Sequence, residues 1–182
     1  MRSAIVASLI LLTACAASRS ETTPPTRSET IRIVGGSGTV AQMSTVNARA
    51  ASVMTIPSSL DDVWKVLPAV YESLGIPITR VDATSHIIGN EGLKVRRRLG
   101  DAPLTRYLDC GSGQGGPNAD TYEVHLAVLT EAREAAPGST HVSTTIQATA
   151  RPLTFSADPV RCASNGALET LIVKRIKEGL QQ

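Results

Sequence analysis

"TYEVHLAVLTEAREAAPGSTHVSTTIQATA", Thr121 to Ala150, decides how this chain folds. Tyr122, Val124, Leu126 and Val128 alternate with Glu123, His125 and Ala127. That two-residue period belongs to a strand with one buried face. Beyond "EAREAAPGST" the period returns in Val142, Thr144, Ile146, Ala148 and Ala150. Two such runs joined by a polar turn predict an antiparallel hairpin.

Just upstream stands "LDCGSGQGGPNAD", Leu108 to Asp120, in which Gly111, Gly113 and Gly116 satisfy the spacing G-x-G-x-x-G. A dinucleotide fingerprint works because its third glycine opens a helix whose N-terminus holds the pyrophosphate. Here Pro117, Asn118 and Asp120 are expected to lead straight into the alternating strand, with no helix between. The glycines therefore predict a loop that joins strands, and no cofactor. "GGSG" at Gly35–Gly38 is followed by Thr39, where a nucleophile elbow needs its second glycine. His86, His125 and His141 are scattered; the last two fall on the polar strand faces and predict surface positions rather than metal ligands. With no nucleophile, base and orienting group to place together, the chain reads as a non-enzyme with no metal.

Helices bracket the strands. In "SSLDDVWKVLPAVYESLG", Ser59 is an N-cap, Asp62 completes a capping box and Asp61 lies near the positive end of the dipole. Leu60, Val63, Trp64, Leu67, Val70, Tyr71 and Leu74 follow helical spacing and mark one buried face. Gly75 supplies a left-handed cap and Pro77 stops the helix. A second helix near the C-terminus takes Ser164 or Asn165 as cap and Leu168, Leu171, Ile172, Ile176 and Leu180 as its apolar stripe. Further strands are expected in "ASVMTIP", "IPITRVD", "SHIIG" and "LKVRRRL", with a looser hairpin around Gly35–Gly38 and a loop at "RPLTFSADPVRCASNG". Consecutive strands between two helices imply an α+β domain: an antiparallel sheet with two helices packed on one face.

The N-terminal end reads "MRSAIVASLILLTACAAS". Arg2 precedes an apolar run from Ala4 to Leu12, far short of the ~20 residues that a spanning helix needs. Leu12-Thr13-Ala14-Cys15 resembles the lipobox of bacterial lipoproteins, which implies acylation of Cys15 and removal of residues 1–14 as a signal peptide. Residues 15–30, rich in Ser, Thr and Pro, then read as a lipidated flexible tether. Residues 31–182 read as one domain with its core in 52–180. Ala16 in place of an Asp favours, by the same resemblance, the outer membrane. Of three cysteines, assigning Cys15 to lipid leaves Cys110 and Cys162 to pair in an oxidising periplasm, or else to remain as two buried thiols.

The order of elements and the entry "VWKVLPAVYESLGIPITRVD" resemble the helix-grip modules of accessory outer-membrane lipoproteins of the NlpB/BamC type. The resemblance covers Ser52 to Leu180, is one of architecture, and carries over no functional residue. It implies a scaffold or accessory in envelope assembly or maintenance, with the membrane and an envelope protein as partners. A reading of another class is a carrier for a small apolar ligand held between helix 59–74 and the sheet.

Charge is nearly balanced, with 18 Lys and Arg against 16 Asp and Glu. In the one dense basic run, "KVRRRL", Lys94, Arg96 and Arg98 are expected on one strand face. They suit an anionic partner, but a solvated face or an edge strand protected from aggregation explains them too, and the sequence favours that plainer role. One Trp, three Tyr and one Phe give no stacking platform for nucleic acid.

Overall fold

The computed structural model describes residues 28–34, 40–46, 52–113 and 115–182; the lipobox, Cys15 and most of the tether lie outside them. Ser28–Val34 (β1) and Val40–Val46 (β2) pair antiparallel on either side of the Gly35–Gly38 stretch. β1 begins at Ser28, ahead of the domain start placed at residue 31.

Ser52–Ile56 (β3) leads into the helix Leu60–Ser73 (α1), then Arg80–Asp82 (β4) and Ile87–Arg96 (β5). Short pieces follow: Arg98–Leu99 (β6), Ala102–Pro103 (β7), a 3-10 turn at Leu104–Arg106, Leu108–Asp109 (β8), Ser112–Gly113 (β9), Gly116–Pro117 (β10) and a helical turn Asn118–Thr121 (α2). Glu123–Ala136 (β11) and Ser139–Arg151 (β12) form the long central hairpin; Val160–Ser164 (β13) and the helix Ala167–Gly179 (α3) end the domain. The main sheet runs β4-β5-β11-β12-β13-β8, with β3 beside β13 on the same edge of β12. Every pair in it is antiparallel. The protein is an α+β domain, and α1 and α3 cover one face of this sheet while the other stays open. No described helix is long and apolar enough to cross a membrane.

Local chemistry explains α1. The Ser59 hydroxyl oxygen accepts from the Asp62 backbone N–H at 3.2 Å and its proton goes to the Asp62 carboxylate at 2.6 Å. At the other end Ile76 N–H reaches Tyr71 O and Gly75 N–H reaches Glu72 O, the paired bonds of a Schellman motif, with Gly75 at φ +67°. The helix continues through Pro68, which lies on the exposed side. α3 starts differently from expectation. Gly166, at φ +83°, is the N-cap, while the Asn165 and Ser164 side chains accept from the N–H groups of Ala167 and Gly166. Both predicted capping residues thus serve the helix from just outside it. Gly179 closes α3 against Val66 of α1, where a side chain would sit 3.4 Å from the Val66 Cβ.

The central hairpin is longer than its hydrophobic pattern indicates. "EAREAAPGST", expected as a turn, continues both strands, and only Pro137-Gly138 connect them. Each strand supplies the other's backbone partners there, so pairing persists past the core, with Arg133 to Ala136 exposed. "SHIIG" and "LKVRRRL" also merge into β5. Glu91 and Gly92 together oppose Ala127, a bulge held by buried Asn90, which donates to Pro77 O and accepts from Gly92 N–H.

One polar chain crosses the core between α1 and the sheet. The Tyr71 hydroxyl meets Thr130 Oγ1 at 2.9 Å, and Thr130 meets Thr144 at 3.0 Å. Burial pushes the Tyr71 phenol up to about 12 against an ordinary 10.0, because the phenolate has no water there. Folded protein therefore keeps this proton while the unfolded chain releases it. Stability from this group is full below pH 10 and declines as pH rises towards 12, by up to roughly 3 kcal/mol. Urea unfolding at stepped alkaline pH is expected to show that decline and to show it flattened in Tyr71→Phe. Equal slopes in both proteins would remove Tyr71 as its source.

Candidate interaction surface

The open face of the sheet is read from its register. Glu123, His125, Ala127, Leu129 and Glu131 of β11 point away from the helices, opposite the core residues Val124, Leu126 and Val128. Across the strands, Arg96 stands beside Glu123 and Glu123 beside Arg151. In the next row Lys94, His125, Thr149 and Arg161 stand side by side on β5, β11, β12 and β13. Lys94, Arg96, Arg151 and Arg161 are all exposed.

The predicted basic patch is therefore regrouped. Lys94 and Arg96 share one face, as expected, but Arg97 takes φ +63° and ends β5. Arg98 falls in the separate β6–β7 hairpin and donates to the Asp101 carbonyl, so it is not in the patch. Arg151 and Arg161 take its place. Neither shows in the charge run, since each is an isolated Arg in a stretch read as loop, Arg151 at its start and Arg161 within it; only strand register brings them to Lys94.

Arg96 donates twice to one Glu123 carboxylate oxygen, at 2.8 and 3.1 Å. That guanidinium holds the Glu123 carboxyl below its usual range, with the His125 hydrogen bond and the charge of Lys94 acting in the same direction. Among the described residues, Lys94, Arg151 and Arg161 form no ion pair. The far end of the face is balanced by contrast: Arg133 pairs with Glu131, and His141 bonds Thr55. No family model and no curated protein matches this chain.

The glycine loop differs from expectation in one respect. A helical turn, α2, does follow Gly116-Pro117. It is four residues long, and its first N–H, on Asn118, is taken by the Gly111 carbonyl at 2.9 Å. The Asn118 side chain donates to Cys110 O, and Asp120 accepts from the Thr105 N–H and hydroxyl. The turn is thus tied to the loop before it and leads into an antiparallel strand.

Cys110 and Cys162 are joined in a disulfide. Cys162 sits in β13, within a stretch expected to be loop, and Cys110 follows the short edge strand β8. The histidines do not converge: His125 pairs across with Thr149, His141 with Arg133, and His86 packs half-buried at the edge of Trp64. Among the described residues no group of His, Cys, Asp and Glu is placed to hold a metal ion. The layer between α1 and the sheet is filled by Val63, Leu67 and Tyr71 against Val124 and Val128, all fully buried. A surface cavity of about 680 Å³ lies elsewhere, beside Tyr107, Asn165, Leu171 and Lys174.

Proposed function

We propose that this protein is a lipoprotein anchored in the outer membrane through Cys15, whose periplasmic domain acts as a non-enzymatic scaffold or accessory in envelope assembly. The lipobox Leu12-Thr13-Ala14-Cys15 carries the reading. The Cys110–Cys162 bond supports it, since a disulfide that closes on the core side of the sheet suits an oxidising compartment and leaves Cys15 outside that bond. A short tether of Ser, Thr and Pro would hold the domain close to the bilayer while leaving its open face accessible.

Metabolic labelling with a fatty acid tests the anchor directly. Wild-type protein is expected to carry label, and Cys15→Ala to carry none. Replacing residues 1–15 by a cleavable signal without the lipobox should move the domain to the soluble periplasmic fraction. Label on Cys15→Ala, or none on wild type, would discard the lipid anchor.

A further inference from the structure

We infer that the cationic end of the open sheet face, together with the loop that joins β12 to β13, docks onto a bilayer surface carrying anionic phospholipid headgroups. Three observations meet at this one end. The first is charge: Lys94, Arg151 and Arg161 stand in adjacent rows, and with Arg96 they outnumber the two acids there, Glu123, already engaged by Arg96, and Asp158, in the loop beside Arg151. A flat array of cations on neighbouring strands matches a plane of phosphates, and such charges add to surface affinity roughly independently.

The second is apolar. The loop "PLTFSADP", Pro152 to Pro159, begins at Arg151 and ends one residue before Val160, so it overhangs the same end. It exposes Leu153 and Phe155, at 51% and 55% of their full surface. Phe155 is the only phenylalanine in the chain, and the fold places it outside the core. Its ring meets Tyr122 edge-to-face, 6.2 Å between centroids, which fixes it beside the start of β11. Exposed apolar side chains rimmed by Arg and Lys are the composition of interfacial anchors, which sink into the headgroup boundary while cations stay with the phosphates.

The third is direction. β3 begins opposite Thr144 and runs towards Thr140, so its first residue, Ser52, points to the half of β12 that ends in Arg151. β3 thus starts at its end nearer the cations. This choice of a bilayer over an acidic protein rests on the lipoprotein reading; the surface itself does not.

The test uses unlipidated chain, residues 16–182, which retains every described element. It is mixed with vesicles of phosphatidylcholine alone or with phosphatidylglycerol, and binding is read by co-sedimentation. Binding is expected only where phosphatidylglycerol is present, and it should weaken with salt. Arg151→Gln with Arg161→Gln should lower affinity about 25-fold, at about five-fold per charge. Phe155→Ser should lower it on the order of ten-fold. Lys174→Gln with Arg175→Gln, on α3, should leave it unchanged. Circular dichroism and the intact disulfide confirm that each variant is folded. Absence of binding, equal binding to phosphatidylcholine, or an equal loss from the α3 pair overturns the proposal. Binding of a polyglutamate peptide through Arg151 and Arg161, with vesicles ignored, would reassign the surface to an acidic protein and equally overturns it. Fatty-acid labelling of Cys15 is independent of all these outcomes, so the anchor and the docking surface fail separately.

Discussion

Gly89→Ala is expected to destabilise the domain by at least ~3 kcal/mol, the largest effect of any single methyl group added here. Gly89 lies in β5 between two partners, Leu129 on β11 and Arg80 on β4, and is itself buried. A Cβ at this position would stand 2.0 Å from the Val128 carbonyl oxygen and 3.0 Å from the Leu129 Cα. Both obstacles are backbone, so no rotamer change relieves them. β5 must draw back from β11, and the pairs Ile88–Thr130 and Asn90–Val128 loosen with it. Ile88 is buried in the core and Asn90 holds the bulge, so the displacement reaches both the packing and the turn. Against a total stability of ~5–15 kcal/mol, a loss of that size is a large fraction. Gly92, in the same strand, is the control: a Cβ there meets nothing within 4 Å, and Gly92→Ala should shift stability by no more than ~0.5 kcal/mol. Urea melts of the two variants decide the matter. If Gly89→Ala unfolds at the wild-type midpoint, the strands are not as close as this geometry requires.

What the sequence made legible was local. The capping residues of α1, its buried face and its glycine stop are all set within a few residues of one another, and they appear where spacing places them. The alternation around Val124–Val128 and Val142–Ala150 likewise reports one-sided burial directly. The failures are tertiary. β13 is only five residues long, too short for its alternation of Val160, Arg161 and Cys162 to stand out from a proline-bounded loop, and it is fixed by the partners that β12 offers at Ala148, Thr149 and Ala150. The outer end of β11, Arg133 to Ala136, carries no hydrophobic pattern and is held by its pairing with the start of β12. Glu91-Gly92 looks like a break between two strands, yet a single buried asparagine turns it into a bulge within one.

The candidate surface was only half legible, and for a related reason. A charge run shows cations that are neighbours in sequence, whereas a sheet face gathers cations that are neighbours in register. Lys94 and Arg96 belong to both groups. Arg98 belongs only to the first, because Arg97 adopts a left-handed backbone that an arginine enters at a cost of roughly 1 kcal/mol, and nothing in "KVRRRL" announces it. Arg151 and Arg161 belong only to the second. Their relation to Lys94 depends on the register of three strand pairs, each of which follows from burial on the opposite face.

Removing the Cys110–Cys162 bond is expected to cost about 2–4 kcal/mol, and to spend that loss at one edge of the sheet. The bond closes a sequence separation of 52 residues, for which the chain-entropy relation gives about 4 kcal/mol as an upper figure. Its location decides where the effect falls. β8 meets the sheet only through Leu108 and Asp109 on β13, and β13 meets β12 only from Val160 to Cys162. Strands this short contribute few hydrogen bonds of their own, so the covalent link carries much of the edge. Asn165 adds a clasp, its N–H to Tyr107 O and its side chain to Arg106 O, which ties the approach of α3 to the same segment. Hydrogen exchange with and without reductant should therefore show faster exchange in residues 107–113 and 160–167, while the middle of β11 and β12 keeps its protection. The double variant Cys110→Ala, Cys162→Ala should reproduce that pattern. Uniform loss over the whole sheet would mean that the bond supports a cooperative core rather than an edge, and unchanged exchange at the edge would mean that its hydrogen bonds suffice. Arg161 rides on β13, so loosening this edge also frees one of the cations from its row. Reduction should then weaken association with anionic vesicles even though no charge has been removed, a loss that Arg161→Gln would no longer show.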